Sequence, residues 1–281
     1  MAGAPCPDSG AVSLLPWAGG LGALAGVVLG LTGAGGGVLA LPLLVFGLGL
    51  SISAAAPVAL LAVGLAAALG AALGLRQGIV RYRAAGLIAA CGIAMAPLGL
   101  WLSHHLPALP LALCFAAVQA LVSVRLWQGA RGGGHPATVA RAPCPCVLDP
   151  STHRLQWTLP CARALAITGA LAGVLSGLLG VGGGFVIVPA LRRFTDLSMN
   201  SVVATSLAVI AAVALATGSA TVASGLVATA LALPFASGTA LGLLIGRWLA
   251  PRVGGPGLQR LFALVGLVAA AALVARSHIS G

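Results

Sequence analysis

The chain has 281 residues, 60% of them hydrophobic and only 6% charged, with a mean hydropathy of +1.12. A water-soluble domain carries about a quarter charged residues, so the composition excludes one and points to an integral membrane protein. The formal charge of +11 comes from fourteen arginines, with no lysine and three acids; they stand singly or in pairs between apolar runs, which is topogenic spacing and not a nucleic-acid surface.

The N-terminus, MAGAPCPDSG, lacks the positive n-region of a secretory signal, so residues 1–30 read as mature protein, with 1–13 as an N-terminal segment. A first unit follows over 14–127, with apolar segments at about 14–32, 37–50, 54–75, 84–103 and 108–126. The last three are long enough to cross a bilayer, which takes about 20 apolar residues. The first two are short and are parted by the glycine-rich stretch GLTGAGGG (30–37), with Pro42 inside the second. They read as a broken or re-entrant helix pair that returns the chain to the side it started from.

A polar linker spans 128–160, and a second unit over 161–274 repeats the first, leaving a tail at 275–281. GALAGVVLGLTGAGGGVLALP (22–42) lies over GALAGVLSGLLGVGGGFVIVP (169–189), and the offset of 147 positions, from Gly22 to Gly169, holds without gaps. It pairs Ser51 with Ser198, Gly78 with Gly225, Gly99 with Gly246 and Trp101 with Trp248. A duplicated membrane unit is a common build of secondary transporters.

Charge placement gives the expected topology. Arg76, Arg81 and Arg83 lie between segments three and four of the first unit, whose counterpart loop in the second carries no charge. Arg247, Arg252 and Arg260 flank the loop between segments four and five of the second unit, where the first has SHHLPALP. Such a swap is what two inverted repeats require. With the arginines inside, the linker is cytoplasmic and the N-terminus outside, in a bacterial inner membrane; Arg276 is the exception. The fold expected is therefore an all-α polytopic membrane protein of two inverted repeats, each a broken helix pair followed by three transmembrane helices.

The candidate site is the pair of glycine breaks, since discontinuous helices between inverted repeats form substrate sites near the bilayer midplane. Helices starting at Gly37/Val38 and Gly184/Phe185 would present free N–H groups and partial positive charge to an anion. The expected substrate-binding set is Thr32, Gly33, Gly35, Gly36 and Gly37 from the first break and Ser176, Gly180, Gly182, Gly183 and Gly184 from the second. Asn200, Thr205 and Ser206 of SMNSVVATS (198–206) complete it, Asn200 as a buried amide in need of partners; Gln119 is a weaker candidate. Tight helix packing is the competing reading of the glycines, and hydroxyls in membrane helices commonly bond their own backbone. A nucleotide loop is excluded by the lack of GK[ST] after either run.

No acid lies inside a segment, so a carboxylate proton relay is not expected. The six cysteines are dispersed and no disulfide framework is expected. His135, Cys144, Cys146, His153 and Cys161 in and beside the linker lack zinc-site spacing, so neither a metal nor a cofactor is expected. Cys91 and Cys114 read as packing residues, His104 and His105 as solvated loop residues, and Trp101, Trp127, Trp157 and Trp248 as interfacial anchors.

GLTGAGGGVLALPLL and GLLGVGGGFVIVPAL, together with SMNSVVATSLAVI and the P-L-G-x-W and L-I-G-R-W ends of segment four, resemble the TauE/SafE sulfite exporters, also called the four-toluene sulfonate uptake permease family. The resemblance covers nearly both units. It implies a multi-spanning permease for sulfite, sulfonates, sulfoacetate or related small anions, working here by alternating access and most simply exporting a sulfur-containing anion. An anion channel and an uptake permease for a carboxylate anion are the alternatives; a membrane-embedded enzyme would need buried acid, His or Cys constellations that the segments lack. The first unit departs from the polar pattern, having Pro57 and alanines where the second has Ala204, Thr205 and Ser206, which implies an asymmetric site.

Overall fold

Within a bilayer the backbone must satisfy its own hydrogen bonds, and every long apolar run among the described residues does so as a helix. The computed structural model describes residues 9–33, 35–107, 158–180, 182–223 and 229–253, and a few single positions, Cys146 among them. In chain order the helices are α1 (Ser9–Thr32), α2 (Gly35–Gly47), α3 (Ile52–Arg76), α4 (Tyr82–His105), α5 (Leu159–Leu179), α6 (Gly184–Phe194), α7 (Met199–Ala223) and α8 (Thr229–Val253). Six of them, all but α2 and α6, are long and apolar enough to span a membrane. The fifth segment of each unit falls largely outside the described residues.

One expectation is corrected here. The first segment of each unit is not short: α1 has 24 residues and α5 has 21, because helix continues on the N-terminal side past the apolar run. Only α2 and α6, with 13 and 11 residues, are half-length.

Glycines set the helix pairs. Gly22 faces Phe235, Gly26 faces Thr239 and Gly30 faces Leu243, so α1 and α8 run parallel. The duplicated glycines do the same on the other side: Gly169 faces Ile88, Gly173 faces Gly92 and Gly177 faces Ala96, so α4 and α5 also run parallel. At each of these six positions a Cβ would collide with a backbone carbonyl oxygen of the facing helix. This is the small-residue packing by which membrane helices approach closely without a hydrophobic drive between them.

The third helices of the two units meet in the centre. Gly64 faces Ala214 and Leu215, Gly70 faces Leu207 and Gly74 faces Ala204, so α3 and α7 run antiparallel. Both have 25 residues, with midpoints at Gly64 and Ala211, positions related by the repeat offset. In the first broken pair, Gly36 packs on Ala25 and Leu29 while Gly47 packs on Leu21, so α2 folds back along α1.

The second pair closes likewise, and a disulfide marks it. Cys146, fully buried, forms a disulfide with Cys161 at the start of α5 and donates its N–H to the Phe194 carbonyl at the end of α6, 3.2 Å away. This corrects the expectation of no disulfide: two residues 15 apart in sequence are joined. Arg76, Arg81, Arg83, Arg163, Arg192, Arg193 and Arg247 all sit toward this same end of the helix bundle, given the helix directions above. Exposed Trp17 and Trp101 stand toward the opposite end and exposed Trp248 toward the arginine end, the placement of interfacial anchors.

Candidate functional site

The first break is narrow. α2 starts at Gly35, two residues earlier than expected, so Gly35, Gly36 and Gly37 are helical, and among the described residues of this break Gly33 alone carries a left-handed turn, at φ 73°. A side chain there would be strained in conformation and would also meet Val203, whose Cγ1 lies 2.8 Å from an added Cβ. The Gly33 N–H still closes onto the Leu29 carbonyl at 2.8 Å. Its carbonyl is met by the buried Ser206 hydroxyl, 3.1 Å from it and 2.8 Å from the Val203 carbonyl. Thr32 turns its hydroxyl onto its own helix, 2.8 Å from the Val28 carbonyl.

The second break is wider. α5 ends at Gly180, whose N–H bonds the Ser176 carbonyl at 2.9 Å, and α6 does not begin until Gly184. Gly180, Gly182 and Gly183 all have positive φ, 69°, 74° and 65°, a region that costs other residues about 1–2 kcal/mol each. The Gly183 carbonyl accepts from Val186 and Ile187, while the N–H groups that open α6 have no acceptor within their own helix.

Ser176 distinguishes this break. Its side chain is fully buried and its Oγ has no hydrogen-bond partner among the described residues. It lies one helical turn beyond Ala172, against which Gly183 packs. In the other unit Gly36 packs on Ala25 and Leu29 together, the positions equivalent to Ala172 and Ser176. An unpaired buried hydroxyl costs about 1–3 kcal/mol, and here it stands on the face of α5 turned to the start of α6.

The depth of the second break is set by its neighbours. An added Cβ at Gly182 would touch Ile210 at 3.4 Å, Ala214 at 3.8 Å and Val63 at 3.9 Å. Val63 and Ile210 are equivalent residues next to the midpoints of α3 and α7, so Gly182 lies where the two units meet at mid-height. The outer turns reach equivalent places too, Gly33 at Val203 and Gly180 at Ala56, each five residues into a central helix.

The remaining expected residues scatter. Thr205 is fully buried, and its Oγ1 accepts the Arg81 main-chain N–H at 3.1 Å, capping the start of α4 instead of facing a break. Asn200 is exposed in the first turn of α7, so the expected buried amide is not there. His105 belongs to the last turn of α4 and is exposed. Gln119, His135, Cys144 and His153 lie outside the described residues, among which no cluster of three His, Cys, Asp or Glu could hold a metal.

One residue was assigned only a topological part by its sequence. Arg247 of α8 folds inward: Nη1 donates to the Gly70 carbonyl of α3 and Nη2 to the Gln77 Oε1, both at 2.8 Å. Its equivalent in the first unit is Leu100, a difference visible between L-I-G-R-W and P-L-G-L-W, though direction inward needed the fold.

Six apolar spans, two half-length helices and paired glycine breaks between duplicated units define a multi-pass membrane transporter. The family model of the sulfite exporter TauE/SafE matches residues 18–273, and the chain belongs to that family. Two proteins of Xylella fastidiosa, each named a probable membrane transporter protein, are similar to it. That of strain Temecula1 is 30% identical over 264 residues, 93% of this chain and 95% of its own; that of strain 9a5c is 29% identical with the same coverage. No solved structure matches the chain.

Proposed function

We propose that the protein is an inner-membrane permease for a small oxyanion, sulfite or an organosulfonate, binding it at the second break and working by alternating access. The observation that carries this reading is the buried, unpartnered Ser176 hydroxyl beside the mid-height start of α6. A sulfite or sulfonate oxygen accepting from that hydroxyl and from the opening N–H groups of α6 would satisfy donors the protein leaves open. The helix dipole adds partial positive charge at the same place.

The helix directions support the inverted arrangement. Equivalent helices α3 and α7 are antiparallel, and the first helix of each unit runs parallel to the fourth of the other, as a twofold axis in the membrane plane demands. The described arginines gather at one end, which the positive-inside rule puts in the cytoplasm, leaving the N-terminus outside and the linker inside. A monoanion leaving a negative-inside cell gains about 2.3 kcal/mol per 100 mV, so export needs no coupling ion.

The test is flux of sulfite from proteoliposomes at imposed membrane potential. Saturable efflux, accelerated by a negative interior and competed by ethanesulfonate, is the expected result. Unsaturable current would make the protein a channel, and absence of flux for sulfite, sulfonates and carboxylates alike would remove the anion reading.

A further inference from the structure

The two units place unequal chemistry around their equivalent breaks. Toward the arginine end, near the first break, stand Gln77, Arg81, Thr205, Ser206 and Arg247; the positions equivalent to these by the repeat offset are Ser224, Ala228, Val58, Ala59 and Leu100. Of these, Arg247 has its guanidinium drawn back onto a carbonyl of a spanning helix. Gly70, its first acceptor, faces Leu207, the residue after Ser206, so the guanidinium overlies the layer of the Gly33–Ser206 contact. Gln77, its second acceptor, is exposed at the end of α3, about 10 Å further along the helix axis. The side chain thus bridges the surface and the first break.

Both acceptors are neutral. Arg247 has no carboxylate partner among the described residues: Asp196, the one acid they contain, makes no contact with it. A cation within a membrane segment is expensive and ordinarily marks an ion pathway. A guanidinium bonded to a carbonyl and an amide oxygen exchanges them readily for an oxyanion, which adds a full opposite charge and two oxygens matched to the planar fork. Once its Oε1 is released from the guanidinium, the Gln77 side chain can turn its NH₂ to donate to the same anion.

We infer that Arg247, with Gln77, is the oxyanion-docking pair at the arginine-bearing mouth, releasing Gly70 and Gln77 to take the anion on its way to or from the second break. This rests on the anion-permease reading above. It assigns Arg247 a specificity role: the planar fork matches sulfite, sulfonate or carboxylate and offers nothing to a neutral or cationic solute. Leu100 occupies the equivalent position at the other mouth, which has no guanidinium among the described residues, so capture is favoured at the arginine-bearing end.

The experiment compares wild type, Arg247→Gln, Arg247→Lys and Gln77→Ala in proteoliposomes oriented by selective inactivation of one population, with sulfite as probe. Expected are a KM raised at least tenfold at the arginine-bearing face in Arg247→Gln, with the maximum rate largely kept. Arg247→Lys, retaining charge without the fork, falls between. Gln77→Ala raises KM by a few-fold, and KM at the opposite face stays as in wild type for all three. Because the bond to Gly70 also ties α8 to α3, melting temperature in detergent is read alongside. A lowered melting temperature and maximum rate with unchanged KM would make Arg247 a structural tie and overturn the inference. So would a wild-type KM and stability in Arg247→Gln. Failure of wild type itself to move sulfite, ethanesulfonate or acetate would instead overturn the permease reading beneath it.

Discussion

The two glycine breaks began as one sequence and have ended with opposite character. The first is a single left-handed glycine whose carbonyl is held by Ser206 and whose flank is filled by Leu29. The second has three left-handed glycines and, in place of Leu29, a serine with an open hydroxyl. The repeat supplied two equivalent breaks, and a few differences in sequence made one a sealed joint and the other the proposed anion site. Symmetry of the fold therefore says little about symmetry of the chemistry.

The largest effect is expected at the sealed joint. Gly33→Ala combines left-handed strain, about 1–2 kcal/mol, with a clash on Val203 in a packed layer, about 1–3 kcal/mol more. Loss of folded yield in detergent is expected, partly restored by adding Val203→Ala, which removes the struck methyl. Gly182→Ala has ordinary space around it and should show only the strain, folding while transport falls. Equal thermal stability of the two alanine variants would erase the distinction between the breaks.

The hairpins differ again at their open ends. Cys146–Cys161 ties the second pair, whereas the position equivalent to Cys161 is Leu14 and the first pair has no such tie. A loop of this length, closed by a disulfide, stabilises by about 3 kcal/mol. Cys161→Ser in protein purified without reductant should melt lower by the corresponding amount, and reductant should bring wild type to the same point. Insensitivity of wild type to reductant would mean that the tie is not formed. The pair also bears on the proposed orientation, because disulfides are uncommon in the cytosol, the side to which the positive-inside reading assigns this end.

Much of this was legible beforehand because membrane sequences speak in few signals. Apolar length marked the spans, the 147-residue offset marked the duplication, and arginine swapping gave the expected directions of the units. What escaped were features set by facing helices. Gly30 and Gly36 pack against neighbours while Gly33, between them, turns, and no local pattern separates the three. Asn200 looked buried because its segment is apolar, yet it falls in the first, exposed turn of α7. Arg247 looked like a boundary charge until α3 was found beside it. The disulfide was hidden because nothing local to either cysteine shows that Cys146 lies against the end of α6 and the start of α5.

The smallest changes in stability, and the finest separation of the breaks, come from their two serines. Ser206→Ala strips the Gly33 carbonyl of its hydroxyl in a buried layer, which costs about 1–3 kcal/mol. Ser176→Ala removes a hydroxyl that already lacks a partner, and replacing an unpaired polar group by an apolar one of similar shape is nearly neutral or stabilising. The apo Ser176→Ala protein should therefore melt at or slightly above wild type, while the stabilisation that sulfite gives wild type disappears. Ser206→Ala should melt lower and keep that sulfite response. A Ser176→Ala protein as destabilised as Ser206→Ala would show that its hydroxyl is bonded after all, and the second break would lose the observation that sets it apart.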